Sequence, residues 1–328
     1  MIEDLFRLSQ NFIRINKKEY VRYFLKKNPL KNRFSIIVGQ RGVGKTTAMI
    51  QHVISAYRND IFTNKALYIQ ADHFLVGSHS LYEIAEQFYN LGGEMICFDE
   101  IHKYPNWSAE LKSIYDTFPK LTIVASGSSA LEIYRGSRDL SRRAVVLRMF
   151  GMSFREFIEF ELGIDLKSSG LDDITRNHQR IADSIITSVE KKGKKVLALF
   201  KSYLEHGYYP YFREYKNREL FYLTLEQNVH TTLESDLIAI YPSLSGNSVK
   251  KIVNSCTKDL EINVPTGLSE SVWKDYTANI SAEGGKMIGF FLQHSRSTHP
   301  IAYGGHHILA YAKGNRCIIG FEYFWIAF

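Results

Sequence analysis

Apolar and polar positions in the first half of the chain alternate between two periods. Short apolar runs, which predict buried strands, are separated by stretches in which apolar residues recur every three to four positions, which predict helices. The predicted strands are 34–38, 66–70, 95–99, 121–126 and 144–148. The predicted helices are 2–13, 18–27, 45–57, 80–90, 107–117 and a short one near 129–135. This alternation predicts an α/β fold: a parallel sheet with helices on both faces and chemistry at the carboxyl ends of the strands.

Beyond Phe154 the strand signals fade and helical spacing takes over. Helical patterns occur at 155–160, 172–190, 197–205 and 220–238, which predicts a helical lid after the sheet. We therefore expect four parts, which are an N-terminal helical segment (1–33), a sheet core (34–153), the helical lid domain (154–261) and a C-terminal segment (262–328).

The C-terminal segment has a different composition from the rest. Residues 262–328 hold eight of the 22 glycines, and the chain ends on the nearly apolar run 321–328. No helix-turn-helix period is visible there. We expect a truncated or eroded tail, or a divergent domain that needs a partner.

The loop between the first strand and the next helix has the sequence of a phosphate-binding loop. Its residues are Gly39, Gln40, Arg41, Gly42, Val43, Gly44, Lys45, Thr46 and Thr47. Glycines let successive backbone N–H groups point at a phosphate, because they adopt conformations closed to residues with a Cβ. The spacing predicts that Lys45 reaches the β- and γ-phosphates and that Thr46 offers a hydroxyl to Mg²⁺. The agreement of strand, loop and helix favours a nucleotide site over a chance glycine-rich turn.

Two adjacent carboxylates stand at the end of the apolar strand 95–99. Asp99 at the strand tip is expected beside the phosphate loop, where it can hold Mg²⁺ directly or through water. Glu100 can polarise a water molecule for attack on the γ-phosphorus. The alternative is a pair of solvated turn residues. Together with the phosphate loop, the pair indicates a Walker B element.

The strand 121–126 also leads into polar residues. In nucleotide hydrolases with an extra central strand, a polar side chain at this tip senses the γ-phosphate, and Ser126 is the first candidate and Ser128 the second. A helix N-cap by Ser128 or Ser129 is an alternative that can hold at the same time.

A cationic cluster precedes the last predicted strand. Arg142 and Arg143 suit an arginine finger, in which a guanidinium from a neighbouring subunit stabilises the charge that develops on the γ-oxygens. A solvated basic edge or a contact to a DNA backbone is the alternative.

Composition is that of an intracellular globular enzyme. The chain has 328 residues, 45% of them hydrophobic, and three cysteines without metal-ligand spacing. No apolar run reaches the roughly 18 residues that span a bilayer, so a cytoplasmic location and no membrane partner are expected. The formal charge is +7, and nine Lys or Arg against three Asp or Glu fall in residues 1–33. This basic segment suits either the solvated face of a helix or a nucleic-acid contact.

Five segments occur in order that resemble a known family: GQRGVGKTT, ICFDEIHKYPNW, TIVASGSSALEIYRG, DLSRRAVVLRMFGMSFREF and YLEHGYYPYF. They are similar to prokaryotic AAA-type ATPases with a C-terminal domain that resembles restriction nucleases, over about Phe34 to Ile238. The resemblance implies an AAA+ core that binds and hydrolyses ATP with Mg²⁺. It implies that Lys45 and Thr46 bind the nucleotide and the metal, that Asp99 binds the metal and that Glu100 acts as the base. It further implies a sensor at Ser126 or Ser128, fingers at Arg142 and Arg143, and self-association.

Other functional classes fit less well. A small-molecule P-loop kinase would not need Asp99 and Glu100 arranged to activate water. A GTPase would carry Asn-Lys-x-Asp, whose final Asp is missing after Asn64-Lys65. The stronger rival is an ATP-dependent switch, or a degenerate relative, that binds ATP without turnover. Whether ATP hydrolysis is coupled to DNA or to a protein partner stays open.

Overall fold

The computed structural model describes residues 1–58, 60, 62–127, 140–231, 309–313, 316–321 and 324–327. The chain divides into two compact units, one of Met1–Phe157 with Tyr203–Pro242 and the other of Ile158–Ser202 with Ser243–Phe328. The predicted short helix near 129–135 lies outside the described residues, and so does Ser128.

The first unit is built around a parallel five-stranded sheet. Its strands are β1 (Phe34–Val38), β2 (Ala66–Gln70), β3 (Met95–Asp99), β4 (Thr122–Gly127) and β5 (Val145–Arg148), in the order β2-β3-β4-β1-β5. Because β4 lies between β1 and β3, its tip stands between the phosphate loop and Asp99. The strands β1 and β3 are buried along their whole length, as expected when both faces are covered. The predicted parallel sheet is confirmed.

Helices cover both faces of this sheet. They are α1 (Ile2–Asn16), α2 (Tyr23–Lys27), α3 (Lys45–Ala56), α4 (Leu81–Asn90) and α5 (Trp107–Thr117). The helices α6 (Phe154–Leu162) and α9 (Arg218–Thr231) come later in the chain. Successive residues of β1 point to opposite faces, so Ile36 packs into one apolar cluster and Ile37 into the other. A capping box of Ser80 and Glu83 begins α4, because each side chain satisfies a backbone N–H of the other residue.

The predicted helix 18–27 is shorter in the structure. Only 23–27 is helical, and Arg22, with a ψ of 150°, is extended. The side-chain amide of Gln51, on α3, donates to the backbone carbonyls of Lys18 (2.9 Å) and Tyr20 (2.8 Å). Those carbonyls would be needed for the hydrogen bonds of a longer helix, so the tertiary contact replaces the first turns.

The second unit contains α7 (Leu171–Glu190), α8 (Val196–Ser202) and an antiparallel sheet of β6 (Leu309–Lys313), β7 (Arg316–Phe321) and β8 (Phe324–Ala327). These three strands were not predicted, since no strand was expected in 262–328. A signal was present, since Gly314-Asn315 between two apolar runs is typical of a two-residue hairpin.

The helical predictions after the sheet differ at their ends. The predicted helix 197–205 ends as α8 at Ser202 and continues as a π-helix over Tyr203–Gly207. Pro210 then begins a 3₁₀-helix, Pro210–Glu214. The helix predicted at 220–238 is described as α9 up to Thr231.

Candidate nucleotide and magnesium site

The loop between β1 and α3 has the backbone of a phosphate-binding loop. Gly42 and Gly44 have φ of 81° and 100°, a left-handed region that residues with a Cβ rarely enter. Gly44 is the N-cap of α3, so the helix begins at Lys45 and its first N–H groups are directed into the loop. Val43 is fully buried and anchors the loop in the core, while Thr46 and Thr47 occupy the first turn of α3.

The ammonium group of Lys45 is held by the loop itself. Its Nζ donates to the backbone oxygens of Gly39 (3.0 Å) and Gln40 (2.9 Å), and the residue is only 5% exposed. A buried lysine requires such acceptors, because an unpaired charge in the interior is very costly. This places a positive charge within the turn that the sequence assigned to phosphate binding.

Thr46 and Asp99 meet although 53 residues separate them in the sequence. The Thr46 hydroxyl donates to Asp99 Oδ2 at 2.6 Å, and Asp99 is 1% exposed. The contact arises because β3 and the loop after β1 both end at the carboxyl edge of the sheet. The structure thus brings together the two residues that the sequence assigned to the metal.

Two more hydroxyl groups bind the Asp99 carboxylate. Ser126, at the tip of β4, is fully buried and donates to Oδ1. Tyr68, in the middle of β2, donates to Oδ2 at 2.6 Å. Burial, followed by the charge of Asp99, raises the pKa of the Tyr68 hydroxyl far above its ordinary value, so it stays a donor. Sequence reasoning missed Tyr68, whose only signal was a side chain with a polar tip in an apolar strand.

These residues fit a magnesium ion. Thr46 and Asp99 present a hydroxyl and a carboxylate, which are the hard oxygen ligands that Mg²⁺ prefers, on one side of a buried cluster. The loop beside them supplies N–H donors for phosphate oxygens, which complete the coordination of Mg²⁺ in nucleotide sites.

Glu100 stands at the edge of this cluster with a strained backbone. Its φ and ψ of 52° and 37° are left-handed, and its N–H donates to Asp99 Oδ1 at 3.1 Å. Its carboxylate lies 3.7 Å from His102 Nε2 and 3.8 Å from Lys103 Nζ. Left-handed residues other than glycine are uncommon and cluster at functional sites.

Lys103 is bound more closely by Asp72, which follows β2. Burial alone would raise the pKa of Asp72, but the hydrogen bond and charge of Lys103 hold it below its ordinary value. Charges of both signs therefore surround Glu100.

Two tyrosines from a distant part of the sequence contact the phosphate loop. The Tyr209 hydroxyl donates to Gln40 Oε1 at 3.0 Å, across 169 residues. The ring of Tyr211 lies so close to Gly42 that a Cβ there would come within 2.4 Å of it. Gly42 is therefore required by close approach as well as by its φ.

A buried ion pair stabilises the phosphate-binding loop. The Arg22 guanidinium binds the Glu156 carboxylate and also donates to the Val43 carbonyl at 2.8 Å. Further bonds from Arg22 reach the carbonyls of Phe150 (3.1 Å) and Gly151 (2.8 Å). The residue before α2, the phosphate loop and the segment after β5 are thereby joined by one side chain.

The two candidate finger residues lie away from this cluster in the same chain. Arg142 and Arg143 precede β5, whose first residue pairs near the start of β1, so they stand at the amino-terminal edge of the sheet. Arg143 makes two hydrogen bonds of 2.8 Å to the Asp116 carboxylate, and Arg142 is exposed. The site at the carboxyl edge of the same sheet is not within their reach.

In the part of the chain that the structure describes, no helix combines the length and the apolar character needed to cross a bilayer. The same residues contain no group of three or more His, Cys, Asp or Glu side chains that could hold a metal ion.

Known proteins resemble parts of this chain. The uncharacterized protein MJ1637 of Methanocaldococcus jannaschii is 28% identical over 184 residues, which cover 52% of this chain and 38% of that protein. Among solved structures, C. elegans PCH-2 has 18% identity and a TM-score of 0.31, covering 64% of this chain and 63% of that one. AMPPCP-bound DnaA from Aquifex aeolicus has 13% identity and a TM-score of 0.33, covering 66% and 65%. At these scores the overlap is partial, and the fold rests on the strand order and the loop.

Residues 31–158 match the family model of an AAA domain. This match covers the five-stranded sheet, the phosphate loop and the Asp99 cluster. Residues 31–158 therefore have the fold of an AAA+-like P-loop NTPase.

Proposed function

We propose that this protein binds ATP with Mg²⁺ and hydrolyses it. The observation that carries the proposal is the 2.6 Å contact between Thr46 and Asp99, beside a loop that holds the buried ammonium of Lys45. A cationic loop and a shared hydroxyl–carboxylate pair are the groups that a magnesium nucleotide needs.

Each residue of the site has a task in this reaction. The loop N–H groups and Lys45 bind the phosphates, while Thr46 and Asp99 would hold Mg²⁺. When bound, Mg²⁺ neutralises charge on the β- and γ-phosphates. Glu100 orients a water molecule in line with the γ-phosphorus and accepts its proton. Ser126, which also donates a hydrogen bond to Asp99, senses the γ-phosphate from the tip of β4.

The developing charge on the γ-oxygens requires a further cation. Arg142 and Arg143 lie at the amino-terminal edge of the sheet, so a second copy of the chain must supply them. Hydrolysis therefore depends on self-association. The energy is coupled to DNA or a protein partner, and stimulation of turnover by duplex DNA would identify the first.

A second candidate is a switch that binds ATP without turnover. The observation in its favour is the position of Lys103 and His102, 3.8 Å and 3.7 Å from the Glu100 carboxylate. A carboxylate engaged by these two neighbours is less available to orient a water molecule for attack.

The test is Mg²⁺-dependent ATP turnover by the purified chain over a series of protein concentrations. Glu100→Gln is the control, since it keeps the shape of the side chain and removes the base. We expect specific turnover to rise with protein concentration and to fall to background in the variant. ATP binding with no turnover in the unaltered chain would support the switch, and no ATP binding would overturn both.

A further inference from the structure

We propose that Tyr68 is a positioning residue for the magnesium-binding carboxylate and that it couples Mg²⁺ to nucleotide binding. This inference rests on the proposed function. The hydroxyl of Tyr68 holds Asp99 so that Oδ2 faces Thr46.

The geometry of the carboxylate carries this proposal. Asp99 Oδ2 accepts from Tyr68 and from Thr46, both at 2.6 Å, while Oδ1 accepts from Ser126 and from the N–H of Glu100. Three hydroxyl groups, on β2, α3 and β4, thus determine the rotation of one side chain. Oδ2 accepts from two donors. Thr46 would also bind the metal, so Tyr68 is the donor of the two that holds Oδ2 without binding the metal.

The pairing of β2 with β3 explains why tyrosine suits this position. Tyr68 pairs with Cys97 on β3, so Asp99 lies two residues further along and on the same face. A side chain as long as tyrosine spans that offset and ends in a donor. Phenylalanine would fill the same space without the hydrogen bond.

The N-terminal helix α1 holds Tyr68 in place. Strand β2 is at the edge of the sheet, and its Tyr68 N–H donates to Ser9 Oγ at 2.9 Å. The Tyr68 ring stacks on Phe12, with centroids 4.9 Å apart and an interplanar angle of 10°. Ser9 is 2% exposed and Tyr68 3%. A helix outside residues 31–158 therefore orders a residue of the metal site.

The expected effect separates positioning from general damage. Tyr68→Phe keeps the ring and its stacking, so ATP affinity measured without Mg²⁺ stays unchanged. The increase in affinity on adding Mg²⁺ falls about tenfold, because a hydrogen bond to a charged group is lost. Tyr57→Phe is the matched control, since its hydroxyl donates to the Lys65 carbonyl at 3.3 Å, away from Asp99.

The experiment is calorimetric titration of the full chain with ATP, in EDTA and in Mg²⁺, for Tyr68→Phe, Asp99→Asn and the double variant. We expect Tyr68→Phe to weaken the Mg²⁺ effect in the native background and to have no further effect in Asp99→Asn. An Mg²⁺ effect equal to that of the unaltered chain, or a loss that persists in Asp99→Asn, would overturn the role of Tyr68 while leaving the proposed function in place.

Two other results are decisive. If the unaltered chain binds ATP equally with and without Mg²⁺, the proposed function and the role of Tyr68 fail together. If Tyr68→Phe does not fold, Phe12→Leu loosens the ring and leaves the hydroxyl in place. A weaker Mg²⁺ effect in Phe12→Leu supports the proposal, and an unchanged one contradicts it.

Discussion

Arg22 and Glu156 form a buried ion pair 134 residues apart in the sequence, with Arg22 Nε 2.7 Å from Glu156 Oε1. Both side chains are less than a tenth exposed. Glu156 also accepts from the Tyr23 N–H (2.8 Å) and the Ser153 N–H (3.1 Å), so its oxygens are fully used. Since Arg22 also holds the Val43 carbonyl, the pair connects the phosphate loop to the start of α6.

Removing either partner of this pair should destabilise the protein strongly. Arg22→Met leaves the Glu156 carboxylate buried without its cation, and we expect the free energy of unfolding to fall by about 3–5 kcal/mol. Urea denaturation measures this free energy of unfolding. The control is Lys65→Met, which breaks the Lys65–Glu94 pair whose side chains are 59% and 51% exposed. That loss should be under about 1 kcal/mol, and similar losses for the two variants would contradict the burial argument.

The same pair makes stability depend on acid pH. Burial alone would raise the pKa of Glu156, but the charge and hydrogen bonds of Arg22 hold it below the ordinary 4.5. A carboxylate with a depressed pKa stabilises the fold fully above 4.5, and this contribution is lost as the pH falls through the folded-state value. We expect the stability difference between the native chain and Glu156→Gln to be constant near neutral pH and to shrink below 4.5. A difference independent of pH would contradict this.

The left-handed backbone of Glu100 predicts a conflict between stability and activity. A residue other than glycine costs about 1–2 kcal/mol in this conformation. Glu100→Gly should therefore be about 1 kcal/mol more stable than Glu100→Gln in thermal or urea unfolding, although both lack turnover. Arg58, whose φ is 54° and which is exposed, is the control away from the site. Arg58→Gly should gain stability without loss of turnover, and a Glu100→Gly variant less stable than Glu100→Gln would contradict the strain.

The proposed fingers predict complementation between two inactive variants. Arg142→Ala and Glu100→Gln should each lower ATP turnover, the former by about 10³-fold. Mixed copies should regain measurable turnover, because some interfaces then combine an intact Glu100 with an intact Arg142. If the mixture is as inactive as each variant alone, Arg142 is not an arginine finger that acts on the site of a neighbouring copy.

Arg143 needs a separate comparison because it bonds Asp116. If Arg143 is a finger, Arg143→Ala lowers turnover and Asp116→Ala does not, and the mixture with Glu100→Gln again recovers. Equal losses in Arg143→Ala and Asp116→Ala would show that the ion pair matters only for the local structure before β5.

Much of the site could be predicted because its chemistry is local in the sequence. Gly42, Gly44 and Lys45 are close neighbours, and a left-handed turn before a helix requires glycine wherever the chain then goes. Asp99 was placed by the apolar strand that ends there. Tyr68 and Arg22 could not be found in this way, since their partners Asp99 and Glu156 are 31 and 134 residues away.

The alternation of apolar runs and helical periods by itself determined the parallel sheet, and the glycine spacing determined the phosphate loop, because both follow from backbone geometry over a few residues. Only the tertiary structure decided which hydroxyls surround Asp99 and which side chains support the loop. It also decided that Lys17–Arg22 is not helical, since Gln51 takes the carbonyls of Lys18 and Tyr20. Such contacts depend on strand order and helix packing, which bring together residues whose spacing in the sequence has no period.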